Sequence, residues 1–519
     1  MSKSQTVKVT DDTEYHYHIA VDGTIHIDRC VSDAAQLVIP SAIDGQPVSS
    51  LGAHSFSRLL RLSEVVVPHT VRTIEQQAFE LCPQLEQVEF DDGLEALDDD
   101  VFAFCHSLKH IFVPATVRKL GSNVASIRSP FSKNRQAAIE IDPGNRTYFQ
   151  DALHVIYERR GDGLHVINGR ACDNARLVLH PETVSIETDA FASNASIREA
   201  IFPEGLQSIG RYAFAGCASL ARVHMCSTLK HLGTGAFSKT AVKSLELPAS
   251  LETIDPRALE TGPAIEGISN YAITSTLERV EIDPENPRYY TRGGLLFKRG
   301  ASGETDTAVI CANSAVEVDL SAPGVRIAPH AFDGTASIGH LTIAESAQLP
   351  AGEELLPHGK CSMLTIVFEH PHHGLKDLAL LVGKEMEKRD FLAEVLRGPA
   401  INAEKTALLY DDLLETIKDP YERSAAMVHR LATRALLSAQ HSRSFTEWIE
   451  NMLPSICIRW SQQGNLAGFD QLADAGILNA GSLPRAISWL TEAGDTPGAA
   501  YLLQLQHRRF AETGWDLDL

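Results

Sequence analysis

The chain has 519 residues, 44% of them hydrophobic and 22% charged, and a net charge of -21. That length exceeds one ordinary core, and that composition belongs to a folded chain and not to a disordered one. The acidic balance argues against a general nucleic-acid binder, whose phosphate contacts need a basic surface, and against docking on anionic lipid.

Residues 1–12 are polar and lack the apolar run of an export signal, and no stretch reaches the length of a membrane span. The expectation is a cytoplasmic protein with no membrane partner; the alternative is a cell-surface or secreted protein whose signal is not visible. Residues 1–36 read as an N-terminal β-hairpin cap. Within them Tyr15–Ile27 alternates around Asp22-Gly23, a strong hairpin signal. A cap of this kind would cover the raw apolar end of a stack.

From residue 37 to 374 one pattern recurs. Its clearest copy is Pro68-x-x-Val71-x-x-Ile74-x-x-x-Ala78-Phe79-x-x-Cys82-x-x-Leu85-x-x-Val88-x-Phe90. Phe79 to Phe102, Phe191 to Phe214 and Phe214 to Phe237 are each 23 residues apart, and Phe56 and Phe332 anchor further units. A fixed apolar period of this size predicts a solenoid, each unit burying its face against its neighbours. The Leu-x-x-Val-x-Phe/Val tail has strand spacing, so stacked tails predict a parallel sheet on one face. The Ala-Phe-x-x-Cys section predicts a short helical or irregular turn opposite, with the Phe ring between coils. Two insertions interrupt the stack, near 139–170 and 280–312. Ile141-Asp142-Pro143-Gly144-Asn145 and Ile282-Asp283-Pro284-Glu285-Asn286 open them alike, and each predicts an extra hairpin.

From 375 to 519 the pattern takes a helical period through Leu378, Leu381, Val382, Met386, Leu392, Val395 and Leu396. Breaks are expected at Gly398-Pro399, Asp419-Pro420, Pro454, Gly476, Gly481 and Gly494, giving an all-α segment of short helices. This segment is net -5 and the rest of the chain net -16, so the repeats carry most of the acidity.

The Pro68–Phe90 unit and its copies resemble the BspA-type (Treponema-type) leucine-rich repeat of bacterial proteins. Asp22-Gly23-Thr24-Ile25 and Leu37-Val38-Ile39-Pro40 are similar to that family's opening. The resemblance implies a right-handed leucine-rich-repeat solenoid with a parallel concave β-sheet, and binding or adhesive roles. With the helices that follow, the fold class is α+β multidomain. Residues 465–510, with Leu483-Pro484 and Ala499-Ala500-Tyr501-Leu502-Leu503, resemble an ankyrin-like helix pair, which implies another protein-contact module.

Chemistry is sparse. His370, His372 and His373 beside Glu369 lack a second ligand pair at metal-site spacing, and Asp91, Asp92, Asp98, Asp99 and Asp100 lack a calcium-loop pattern. No nucleophile elbow and no phosphate-cradling loop is present, so no catalytic, metal or cofactor site is assigned. Cys82, Cys105 and Cys217 share one repeat position and read as small core residues, unpaired. Asn145-Arg146-Thr147 and Asn194-Ala195-Ser196 match the glycosylation pattern. Trp448, Trp460 and Trp489 fall in helical patterns and read as core. Strand alternation turns Glu64, Gln87, Glu89, His110, Phe112, Glu199, Arg222 and His224 outward from the sheet, along with Val66, Ile201, His340 and Thr342. These are the candidate partner-binding residues, with Phe112 as apolar anchor. The expected function is a non-enzymatic scaffold that binds an unknown protein or peptide. The alternatives are an adhesion protein and an enzyme with an unrecognised site in the helices.

Overall fold

The computed structural model describes residues 5–10, 12–121, 138–255, 257–258, 277–301, 304–312, 317–329, 331–332, 337–350, 360–372, 375–383, 391–396 and 401–510. It divides into two compact units. One is Met1–Thr276 with Asp283–Asn286; the other is Leu277–Ile282 with Pro287–Leu519.

In the first unit each repeat contributes two strands. The longer one is the expected tail. Gln36–Val38, Glu64–Val67 and Gln87–Phe90 pair in parallel, with Leu37, Val65 and Val88 in register and buried. His110–Val113 pairs with Ala138–Ile141, and Arg176–Val178, Glu199–Ile201 and Arg222–His224 form a further parallel sheet. The second strand is only two residues long. Ser50-Leu51, Thr73-Ile74, Ala96-Leu97 and Lys119-Leu120 make one parallel ladder. Ser185-Ile186, Ser208-Ile209, His231-Leu232 and Thr253-Ile254 make the other. The sequence pattern predicts one ladder per coil; the Val-x-x-Ile step supplies this second one.

The section around each Phe is irregular turn and not helix. Left-handed residues stand two before and two after the ring: Gln77 (φ 59°) and Leu81 (φ 60°) about Phe79, Asp100 (φ 58°) and Phe104 (φ 61°) about Phe102. Two reversals this close prevent an α-helix from propagating. They turn alternate N–H groups toward the next coil instead: Phe56 N–H donates to Ala78 O at 2.8 Å, and Phe79 N–H to Val101 O at 2.9 Å. Between coils the rings stack, at 5.0 Å for Phe56–Phe79, 5.5 Å for Phe79–Phe102, 4.9 Å for Phe191–Phe214 and 5.7 Å for Phe214–Phe237. All are fully buried, each contributing about 2 kcal/mol of apolar burial. Three residues past the ring, the Cys82, Cys105 and Cys217 thiols donate to the carbonyls of Phe56, Phe79 and Phe191 at 3.3, 3.0 and 3.1 Å. Asn194 fills the same place, its amide donating to three carbonyls.

The expected hairpin cap and the two expected hairpin insertions are one structural unit used three times. Each is a three-stranded antiparallel meander: Gln5–Thr10, Thr13–Ile19 and Ile25–Ser32; then Tyr148–Gln150, Ile156–Arg160 and Gly163–Asn168; then Tyr289–Arg292, Leu295–Lys298 and Thr307–Cys311. The third strand of each joins a short-strand ladder in parallel. Buried Asn145 and Asn286 open the second and third; each amide donates to carbonyls of the preceding coil.

The second unit carries the third meander, the ladder Glu317–Leu320, Ser337–Ala344 and Lys360–His372, and seven helices among the described residues. These are α1 (Phe391–Leu396), α2 (Ala403–Leu414), α3 (Pro420–Thr433), α4 (Ala439–Gln462), α5 (Ala467–Asp474), α6 (Leu483–Glu492) and α7 (Thr496–Phe510). Two expectations are corrected here. Leu375–Leu381 is a strand, not helix, pairing antiparallel with Met363–Val367. Leu378, Leu380 and Val382 are buried while Ala379 and Leu381 are half-buried, which is period two. Pro454 does not break its helix but lies inside α4, where Leu453, Ile456, Cys457 and Trp460 are all buried. Packing on both sides of the proline holds the helix through the missing hydrogen bond. At Asp419-Pro420 the break is a start: Asp419 caps α3 through the N–H groups of Tyr421 and Glu422, with Pro420 in the first turn. The helices and the last coils share one core, in which Phe332, Leu341 and Leu364 belong with Phe391, Tyr410 and Ile449.

Candidate functional site

Because each longer strand buries alternate residues, its remaining side chains face solvent in rows set by the register. One row is Val38, Val66 and Glu89 in neighbouring strands, with Phe112 opposite Glu140 in the following pair. Val38 is 71% exposed and Phe112 38%. The parallel row runs Gln36, Glu64 and Gln87, then His110. Gln36 donates to Glu64 at 2.8 Å, Gln87 donates to Glu89 at 2.7 Å, and the His110 ring lies 3.0 Å from the Glu140 carboxylate. Glu64, Gln87, Glu89, His110 and Phe112 therefore share the coils that precede the second meander.

Glu199, Arg222 and His224 lie in the coils after it. The structure gathers Arg222 and His224 around the Glu199 carboxylate and adds Arg176: His224 Nε2 at 3.0 Å, Arg222 Nε at 3.4 Å and Arg176 Nε at 3.6 Å. The His224 hydrogen bond, then the Arg222 and Arg176 charges, hold the Glu199 carboxyl below its ordinary range. Beside this cluster runs a second apolar row, Val178 and Ile201, with Val178 half exposed. In the second unit His340 Nε2 lies 2.7 Å from Thr365 Oγ1, and Thr342 shares that face.

Five residues of these rows are missed by the repeat pattern: Gln36, Val38, Glu140, Arg176 and Val178. Glu140 lies in an insertion. The others lie in the first coil after a meander, whose tail lacks the Leu-x-x spacing. Aligning Arg176-Leu177-Val178-Leu179 with Gln36-Leu37-Val38-Ile39 is the signal that finds them.

Other candidates resolve simply. Glu369 and His370 are exposed, while His373 and the His372 side chain lie outside the described residues. Of the aspartates expected at a solvated edge, Asp100 is instead buried at a left-handed turn. All nine cysteines are buried and outside any disulfide, and burial pushes the Cys217 and Cys457 thiols up to about 12. Asn145 and Asn194 are 5% and 3% exposed with their amides bonded, so neither is open to glycosylation in the folded chain. Trp460 is buried, and Trp448 is half-buried under the Arg423 guanidinium at 3.7 Å. No described helix is long and apolar enough to cross a membrane.

No curated protein matches the sequence. Among solved structures, the pneumococcal vaccine antigen PcpA is 14% identical with a TM-score of 0.43, over 71% of this chain and 95% of its own. A leucine rich cell surface protein of Faecalibacterium prausnitzii is 15% identical with a TM-score of 0.33, over 71% and 96%. A leucine-rich repeat protein from Bacteroides capillosus is 26% identical with a TM-score of 0.22, over 26% and 98%. The BspA type leucine rich repeat region matches in six copies over residues 36–130 and 173–281. With the Phe stack, the paired ladders and the helices that follow, the chain carries BspA-type leucine-rich repeats over these residues and a helical segment C-terminal to them.

Proposed function

We propose that the chain is a non-enzymatic scaffold that binds a protein or peptide through the solvent-facing side of its longer strands. One observation carries this: the row Val38, Val66 and Glu89 in one sheet, followed by Phe112 and Glu140 in the next strand pair, sets exposed Val38 and Phe112 in line with the carboxylates of Glu89 and Glu140. Apolar anchors ringed by polar groups are the anatomy of protein-interface centres. The polar groups on this face are closed on one another, by hydrogen bonds in Gln36–Glu64 and Gln87–Glu89 and by ion pairs in His110–Glu140 and about Glu199. The net charge of -16 before residue 375 disfavours phosphate-bearing partners.

The helical segment, with α6 and α7 joined at Gly494, is proposed as a second contact module. Nine buried cysteines outside any disulfide favour a reducing compartment, and the cytoplasm is proposed as the place of action. The experiment is capture of partners from the host with the full chain, followed by hydrogen-exchange footprinting of the complex. Protection of residues 36–38, 64–67, 87–90 and 110–113 supports the reading. Protection confined to the Phe-bearing turns, or to residues 401–510, overturns it.

A further inference from the structure

The first meander carries a constellation that the repeats do not. His18 and His26 stand directly opposite on paired strands, ring centroids 4.7 Å apart. Asp28 follows His26 by two residues on the same strand. Its Oδ1 lies 2.8 Å from His18 Nδ1 and 3.8 Å from His26 Nε2. One ligand atom from each of the three falls within 4.8 Å of the others, and among the described residues this is the one such group of His, Cys, Asp or Glu. Donors around a tetrahedral zinc at about 2.0–2.2 Å lie roughly 3.3–3.6 Å apart, and the separations of 2.8 and 3.8 Å stand on either side of that span.

The surroundings favour the same use. Ser50 Oγ sits 2.7 Å from His26 Nδ1 and so orients the ring with Nε2 toward Asp28. Gly52 keeps that nitrogen clear: a Cβ there would stand 2.4 Å from it. The second meander supplies an internal comparison. His165 and Ser185 hold the places of His26 and Ser50, at 2.6 Å, in the same ladder register. Opposite His165, however, stands Glu158 in place of His18, and Glu187 occupies the place of Gly52. There the chain provides its own cation: Arg160 bridges Glu158 at 2.6 Å and Glu187 at 3.0 Å. In the first meander the ion pairs of Asp28 among the described residues are with the two histidines alone.

We propose that His18, His26 and Asp28 bind one divalent transition-metal ion of the zinc class. The site is open, with three protein ligands and the solvent side left to water or to a donor atom of a partner. The ion would tie together the two strands of the meander next to its turn.

The test is calorimetric titration of the full chain with zinc chloride, with cobalt(II) absorption as a second readout. The expected result is one saturable site per chain, at least ten-fold weaker in His18→Ala and in Asp28→Asn and unchanged in His370→Ala. Ser50→Ala should weaken it about 10–100-fold through the orientation of His26. The His18 and Asp28 side chains are 29% and 37% exposed, so both variants are expected to fold, which far-UV circular dichroism checks. Cobalt on the wild type needs no variant: visible bands without thiolate charge transfer fit nitrogen and oxygen ligands. No saturable binding, binding that survives His18→Ala with Asp28→Asn, or a thiolate band would overturn the assignment.

Discussion

At the scale of the residue, the recurring aromatic decides most. Phe79 lies between Phe56 and Phe102 with no exposed surface, so its loss opens a cavity that neither neighbouring coil can fill. Phe79→Ala is expected to cost roughly 3–5 kcal/mol, read as a shift of the denaturant midpoint. These rings were legible in the sequence because burial and period coincide. The candidate site was legible only in part. Glu199, Arg222 and His224 follow from strand alternation, but Arg176 completes their cluster from a coil that lacks the repeat spacing. A second prediction belongs to that cluster. The lowered folded pKa of Glu199 means that its contribution is complete above the unfolded value of about 4.3 and is lost as pH falls through the folded value. A carbon-detected NMR titration should therefore place Glu199 below about 4.3, and His224→Gln should raise it. A titration at the ordinary glutamate value in both would contradict the geometry.

At the scale of the element, local pattern and tertiary packing part company. A two-residue strand such as Thr73-Ile74 is too short to leave a periodic signature, and only its parallel neighbours make it a strand. Leu375–Leu381 contains leucines that satisfy a helical and an alternating template at once, and pairing with Met363–Val367 selects the second. Pro454 shows the converse, a breaker overruled by burial. Between α2 and α3 the helices depend on a bidentate ion pair, Arg430 Nε to Asp411 Oδ1 at 2.7 Å and Nη2 to Oδ2 at 3.0 Å, both side chains essentially without solvent. Removing one partner strands the other charge. Asp411→Ala is thus expected to cost about 3–5 kcal/mol by chemical denaturation, whereas replacing both residues by apolar ones of similar volume should cost much less. Equal losses in the single and double variants would show that the pair itself stabilises the helices.

At the scale of the whole molecule, the chain restarts its coils three times with the same meander, at residues 5–32, 148–168 and 289–311. The repeat period was plain in the sequence because every full coil buries the same residues. The likeness of the two insertions was legible in their Ile-Asp-Pro-x-Asn openings, but the identity of the cap with them was hidden, since the meander strands share few residue types and agree chiefly in pairing. What the restarts achieve is a set of short sheets whose outward rows differ: apolar with carboxylates before residue 141, cationic about Glu199 after it. The central claim is that the first of these rows is a docking surface. The most direct measurement is the affinity of a captured partner for the wild-type chain and for Val38→Ser with Phe112→Ala, both side chains lying outside the core. The account predicts binding at least ten-fold weaker, about 1.4 kcal/mol or more, with an unchanged unfolding midpoint. An affinity equal to wild type in that folded variant would contradict it.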